Sequence, residues 1–534
     1  MGRSTLKAWA GLFVVLLVGA VVVGVGASSP DDLILAVGGD TVGGETPEGY
    51  DPTLGWGRYG SPLFQSTLLK RDADLNIVND LAKSVTVSPD RLVWTVKIRP
   101  DAKFSDGQPV TARDVAFTFN QAAQSGGLTD VTVMDKAVAV DDTVVELHLK
   151  RPQSTFVNRL ISLGIVSEHA YGPDYARHPI GSGPYKLVQW DPGQQLIVEA
   201  NPYYYGEKPQ FKRLVFLFLG EDTAFAAARA GKVHVVAVPQ ALAVQKIDGM
   251  TLQTVPSVDN RGLSFPFVPD TGQKTDKGYP IGNNVTADPA IRHAINVAVD
   301  RQALVDGILE GFGSPAFGPV SGLPWDEPGG NIKDGDVETA RQILAEAGWA
   351  DKNNDGIVEK GDLKAAFTIY YAAGDATRQS LALALVDMLK EIGIQADVQG
   401  KSWDDIARLM HSNVVLFGWG SHDQSEMYDL YHSAWRGVDW YNANYYANPA
   451  VDKYLDQAMT AASETEAIPF WKKAQWDGQT GFSPKADAPW AWLVNLKHTY
   501  FVDKCLDIGR PQVEPHLHGW PITANITSWK WTCK

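Results

Sequence analysis

Between Ala366 and Phe417 the chain alternates apolar runs with amphipathic ones, and this pattern constrains the fold most. Ala366 to Tyr371 is a short run of strand-forming residues. Thr377 to Ile392 follows, with Leu385, Met388, Leu389 and Ile392 at three- and four-residue spacing, which marks one face of a helix. Ile394 to Val398 is apolar again. Ser402, with Asp405 three residues on, opens a second helix, and Asn413 to Phe417 closes the series as a third strand. Strands joined by helical crossovers run parallel, with right-handed connections. The pattern predicts an α/β sheet, and ligands bind such sheets at the carboxyl ends of the strands. Phe417 to Tyr428 lies at that end and carries Trp419, His422, Asp423, Glu426 and Tyr428.

His422 and Asp423 could be taken for a base and its orienting acid. Adjacent side chains on an extended segment point apart, however, so the pair is too local for that role. No G-x-S-x-G, no H-E-x-x-H and no cysteine nucleophile accompanies them. The stretch reads better as a pocket wall, with Trp419 stacking on a ligand and His422, Asp423 and Tyr428 beside it. No enzyme is expected.

With 534 residues, more than one domain is expected. The formal charge of −15 is the opposite of a nucleic-acid binder's basic patch. Arg3 and Lys7 precede an apolar run from Ala8 to about Gly26, and Val25-Gly-Ala27 places small residues where a signal peptidase cuts. Export is expected, with residues 1–27 as a signal peptide; an uncleaved segment would be a membrane anchor. In an exported chain, Cys505 and Cys533 are expected to form a disulfide.

Asp32 to Val37 reads as the first strand after the leader, and Val93 to Ile98 as a period-two strand. Thr111 and Asp114 form a capping box ahead of a helix with Val115, Phe119 and Ala122 on one face. Residues 288–310 read as one helix with Pro289 in its first turn, and Asp336 caps another that starts at Glu338.

The segment Lys103 to Phe119, KFSDGQPVTARDVAFTF, resembles the signature of the peptide/nickel-type solute-binding proteins of ABC importers, family 5. Leu68–Lys70 with Leu81–Lys83, His178–Lys186, Asn201–Tyr205 and Ala290–Asp300 resemble the same family, in its order. The resemblance covers nearly the whole chain after the leader. It implies a two-lobed periplasmic-binding-protein fold, class II and cluster C, with an extra inserted domain. The implied plan is a discontinuous first lobe (28–62, 180–265, 490–534), an inserted subdomain (63–179) and a second lobe (266–489). It implies a monomer that captures peptides, or alternatively a nickel–histidine chelate, between its lobes and works with an ABC permease and ATPase.

Peptide-binding relatives carry an acid soon after the corresponding Gly-Trp, where it pairs with the ligand's α-amino group. Counted from Gly418-Trp419, that position is His422, with Asp423 one residue later. Arg261 and Arg58 are candidates for a ligand carboxylate, since guanidinium pairs with it bidentately. Under the nickel reading, His516 and His518 alternate on a segment that resembles the histidine-bearing ending of some nickel-complex binders. Asp351 to Asp362 has the spacing of a calcium loop, with Asp351, Asn353, Asp355 and Asp362 among the donors and Gly356 at the turn. Asp362 reaches less far than the usual Glu and a strand follows, so a solvated turn is the preferred reading and a structural calcium the alternative.

Overall fold

The computed structural model describes residues 32–38, 49–127, 129–438 and 440–533; the expected leader over 1–27 lies outside them. Two long antiparallel strands, Met250–Ser264 and Trp490–Asp503, form the spine of the molecule. On one side of the spine the sheet continues through Val235–Val238, Asp32–Ala36, Arg213–Leu217, Gln195–Ala200 and Tyr185–Asp191. On the other it continues through Val414–Trp419, Ala366–Ala372 and Gln395–Lys401. Ala366–Ala372 lies parallel to both of its neighbours, as the strand–helix alternation predicts.

The pairing of the two spine strands is interrupted midway along their length. Met250 to Pro256 pair with Lys497 to Asp503, and Asn260 to Ser264 with Trp490 to Asn495. The register slips between Pro256 and Asn260 and again between Arg261 and Gly262. Pro256 has no N–H for the ladder, and a bulge bends and twists a strand where it falls. This break, called the hinge below, lies midway along the two strands that join the two halves of the sheet.

A separate four-stranded antiparallel sheet runs in the order Ala82–Val87, Val93–Ile98, Val144–Leu149, Met134–Ala139. The helix Ala112–Ser125 covers it through buried Val115, Phe119 and Ala122. The Asp114 carboxylate accepts from the Thr111 N–H at 2.8 Å and from the Glu168 N–H at 3.0 Å, so the cap also ties down a distant loop. Residues between Leu68 and Ile165 form an apolar core of their own.

The helix expected over 288–310 is two: Pro289–Ala298 and Arg301–Gly307. Asp300 breaks it, because its carboxylate accepts from the Ala303 N–H and caps a new helix. Asp336 and Ser402 cap the helices Val337–Glu346 and Trp403–Leu409. Cys505 and Cys533 are bonded, beside the short pairing of Leu506–Asp507 with Lys530–Trp531. Among the described residues no helix is long and apolar enough to cross a membrane.

Candidate ligand cleft

The strand Val414–Trp419 runs out at the hinge and turns at Gly420. That residue has φ +147°, and a Cβ there would stand 2.3 Å from the Val258 carbonyl oxygen, so only glycine fits. The turn delivers Trp419, His422 and Asp423 to a cleft of about 720 Å³, mouth included. Arg58 and Tyr59 line it from the segment ahead of the small-sheet region, Arg71, Asp130 and Arg159 from that region, and Glu426, Asp429 and Tyr441 from the segment after Val414–Trp419. Trp419 and Tyr441 form the aromatic wall, with ring centroids 6.0 Å apart.

Hydrogen bonds join the small-sheet region to the segment after Trp419. Arg159 donates from Nη1 to Asp423 Oδ2 at 2.7 Å and from Nη2 to Ser425 Oγ at 3.1 Å. Asn158 Nδ2 donates to Asp423 Oδ1 at 3.1 Å and to Glu464 Oε1 at 2.8 Å. Arg71 Nη2 donates to Asn158 Oδ1 at 2.7 Å and to the His422 carbonyl at 3.3 Å. Ser154 and Arg91 add bonds to carbonyls at Ala458, Met459 and Thr460.

Acid exceeds base in this cluster. Burial raises Glu426 to about 7, although its Oε2 accepts from the Gly420 N–H. Burial also pushes Asp429 well above the usual carboxylate range; Arg159 opposes the rise, while Asp130, Asp423 and Glu426 add to it. Burial and then the Arg71 cation hold the His422 imidazole down to about 3, so the ring is neutral. His422 is 7% exposed, and its Nε2 is buried without a hydrogen-bond partner.

A second buried cluster sits at the hinge. Asp259 and Glu514 are fully buried. Asp259 is engaged by Arg261, His498 and His516; Glu514 accepts from Tyr500 and is bonded to His498. Burial alone would raise Asp259, but Arg261, His516 and His498 hold it well below its usual value. Burial would lower His498, yet its bonds to Asp259 and Glu514 carry it to about 9.

Trp419, His422, Asp423 and Arg58 line the cleft together. The other expected residues are placed elsewhere. Tyr428 turns away, its hydroxyl on Asp456 and its ring stacked on His432. Its place in the helix Glu426–Tyr431 decides this, since an extended reading of the stretch gives the wrong face. Arg261, expected at a ligand carboxylate, has its guanidinium on Asp259 instead. His516 is buried with Nδ1 on Asp259, and it is not among the residues that line this cleft. His518 bonds the His516 carbonyl through its N–H, and its ring lies 5.2 Å from the His516 ring and stacks on Tyr59.

The Asp351–Asp362 segment brings together Asp351, Asp355 and Glu359, not Asp362. A hairpin of Glu359–Lys360 with Leu363–Lys364 carries Asp362 away, and the Lys364 ammonium sits on Asp355. Asn353 presents its amide nitrogen to Asp355 and Glu359. A cation of the protein occupies the acids and a donor replaces an acceptor, so this set does not fit calcium.

Asp130, Asn158, Arg159 and Asp429 belong to the cleft but were not singled out from the sequence. Asp429 carried a usable signal, three residues after Glu426 on one helix face. Arg159 carried none, because it meets Asp423 only through the packing of two distant parts of the chain.

Residues 76–454 match the sequence profile of the bacterial extracellular solute-binding proteins, family 5 (middle region). Protein XP55 of Streptomyces lividans is 34% identical over 474 residues, which cover 85% of this chain and 82% of that protein. The oligopeptide-binding protein AppA of Bacillus subtilis is 29% identical over 469 residues, covering 80% and 82%. The AppA structure with a nonapeptide superposes with a TM-score of 0.75 at 25% identity, over 94% of this chain and 99% of AppA. NikZ of Campylobacter jejuni, solved with Ni(L-His), has the same fold, with a TM-score of 0.81 at 23% identity over 94% and 100%. The two-lobed architecture, the interlobe cleft and the match over most of the chain lead to one conclusion: this protein belongs to the bacterial extracellular solute-binding proteins, family 5.

Proposed function

We propose that the chain is the extracytoplasmic solute-binding subunit of an ABC importer, a monomer that takes a peptide between its lobes and presents it to a membrane permease and its ATPase. The carrying observation is the cleft, an aromatic wall flanked by charged groups of both signs and contributed by three parts of the chain. Such sites match a peptide's apolar side chains and charged ends. The relatives point the same way: AppA is named for oligopeptides, and the 27% identical DdpA of Escherichia coli for D,D-dipeptides. The proposed body plan is a first lobe of 28–62, 180–265 and 490–534, an insertion of 63–179 and a second lobe of 266–489. Residues 1–27 direct export. Trp419 packs on the ligand, and Arg58 is the cation left for a carboxylate. The role includes no chemistry on the ligand.

A nickel chelate is the second reading. The observation that favours it is His422, a neutral imidazole in the cleft, since neutral imidazole is a nickel ligand. Native mass spectrometry with peptide pools, then with nickel plus histidine, separates the two. A mass shift with peptides alone is expected; a shift only with nickel and histidine would sink the peptide reading.

A further inference from the structure

The two halves of the sheet also meet outside the cleft at Trp419. A second cavity of about 1110 Å³, mouth included, lies there, and among the described residues the two share no lining. Glu221, at the start of the helix Glu221–Arg229, and Gln240 face it from the half that holds Arg213–Leu217. Asp375 and Thr377, at the start of the helix Ala376–Glu391, face it from the half that holds Ala366–Ala372. Arg261, His498 and Tyr500 of the spine strands line it between them. Two hydrogen bonds span the gap. The Ala376 N–H donates to Glu221 Oε2 at 3.3 Å, and Thr377 Oγ1 donates to Gln240 Oε1 at 3.1 Å.

The two contacts differ in charge. Asp375 is already committed: its Oδ1 accepts from the Arg378 N–H at 2.7 Å and its Oδ2 from Arg378 Nη1 at 2.6 Å. Glu221 brings a second carboxyl to the same helix start, where a backbone N–H, not a cation, receives it. The charged groups around it are Asp222 on its own helix, Asp375 and Arg378 from the facing half, and Arg261 and His498 on the spine. Burial first and Asp375 second raise Glu221 to about 7; the Ala376 N–H and Arg378 oppose the rise without cancelling it. The share due to Asp375 exists only while the halves are together, because Asp375 belongs to the opposite one.

We propose that Glu221 and the start of the helix Ala376–Glu391 form a proton-dependent latch that holds the two halves of the sheet together outside the cleft at Trp419. This rests on the reading of the chain as a binding protein whose halves close on a ligand. Neutral Glu221 keeps its bond to Ala376 and adds no charge beside Asp375. Ionised Glu221 sets two carboxylates around one guanidinium, Arg378, in a half-buried place. Separating the halves returns Glu221 toward its ordinary 4.5, so closing takes up a proton between about 4.5 and 7. The latch is complete below that window and is weakened as pH rises through 7.

The test is small-angle X-ray scattering of the unliganded wild type, Glu221→Gln and Thr377→Val at pH 5 and pH 8. Thermal melting of each variant confirms that it is folded. Glu426 also titrates near 7, so the signal is the difference between the wild type and Glu221→Gln, not the wild-type response alone. The wild type should have a smaller radius of gyration at pH 5 than at pH 8. Glu221→Gln carries the neutral form at every pH and should be more compact than the wild type at pH 8. Thr377→Val loses the uncharged contact and should be more open than the wild type at both pH values, with the wild-type response to pH kept. Calorimetric titration with trialanine reads the same latch through affinity. From pH 5 to pH 8 the wild type should lose roughly 10-fold more affinity than Glu221→Gln, because water at the cavity mouth screens part of the shift. If Glu221→Gln keeps the whole wild-type change in radius, or the wild type shows none, the latch is refuted, and trialanine binding would still uphold peptide capture. If the radii behave as expected while trialanine binds neither protein, the latch stands and the peptide reading loses its support.

Discussion

The hinge and the cleft each bury a cluster of acids and bases, and they differ in balance. At the hinge, Asp259 and Glu514 face Arg261 and His498, and the hydrogen bonds link them into one network. In the cleft, Asp130, Asp423 and Asp429 share Arg159, Asp423 also faces Arg71, and Glu426 lies beside them. Asp259 is pulled below the ordinary carboxylate range, whereas Asp429 is pushed above it. The same burial gives opposite shifts because Arg261, His516 and His498 together outweigh it at Asp259, whereas Arg159 alone does not outweigh it at Asp429.

The comparison breaks first at Asp259. Asp259→Ala leaves Arg261 and His498 buried without their acid, and truncating one partner of a buried pair costs about 3–5 kcal/mol. A drop of that size in unfolding free energy, measured by urea denaturation at pH 7, is expected. A loss under ~1 kcal/mol would show that the hinge charges are solvated and that the contrast is false.

His498 tests the same balance through pH. Its folded-state value of about 9 lies above the ordinary 6.5, so its stabilising contribution is complete below about 6.5 and is lost as pH rises through 9. The full shift corresponds to ~3 kcal/mol as an upper bound. Stability of the wild type should fall between those limits, and His498→Gln should flatten that part of the curve. Parallel curves for the two proteins would remove His498 from the argument.

In the cleft the sign reverses. Asp429 has a raised pKa, so the folded state resists its ionisation, and free-protein stability falls as pH climbs above the ordinary carboxylate range. Asp429→Asn should therefore stabilise the unliganded protein at pH 7, with the gain disappearing as the pH falls to the ordinary carboxylate range. Thermal melts at both pH values read this directly. Destabilisation at pH 7 would mean that Asp429 is part of the balanced framework rather than surplus.

The two clusters were not equally legible in the sequence. Trp419, His422 and Asp423 follow one strand, and the alternation from Ala366 to Phe417 locates that strand's carboxyl end, so half of the cleft could be found by period and spacing alone. Arg159 could not, because its meeting with Asp423 depends on how the small-sheet region closes on the second lobe. The hinge cluster was hidden for the same reason. Asp259, His498 and Glu514 lie on separate segments that only the long spine strands bring together. Periodicity reveals which face of an element is buried, not which distant residue it meets. Arg261 and His516 illustrate this: both are residues of a ligand-binding type, and both are engaged by the buried Asp259.

A third acid group, Asp351, Asp355 and Glu359, sharpens the comparison from the exposed side. Asp351 and Asp355 are exposed and Glu359 is buried, and the exposed Lys364 ammonium sits on Asp355 in water. Exposed pairs are screened, and their partners can be replaced by solvent, so balance there has little consequence for stability. Lys364→Gln should leave the melting temperature unchanged within error, in contrast to Asp259→Ala. Millimolar calcium should not raise the melting temperature of the wild type, because Asn353 offers its amide nitrogen to the acids and Asp362 stands apart. A calcium-dependent rise in the Lys364→Gln variant alone would show that the lysine is what keeps the ion out, and that the loop's spacing is sound. A rise in the wild type would restore the calcium reading and make this group a third kind of cluster, one balanced by an ion rather than by the chain.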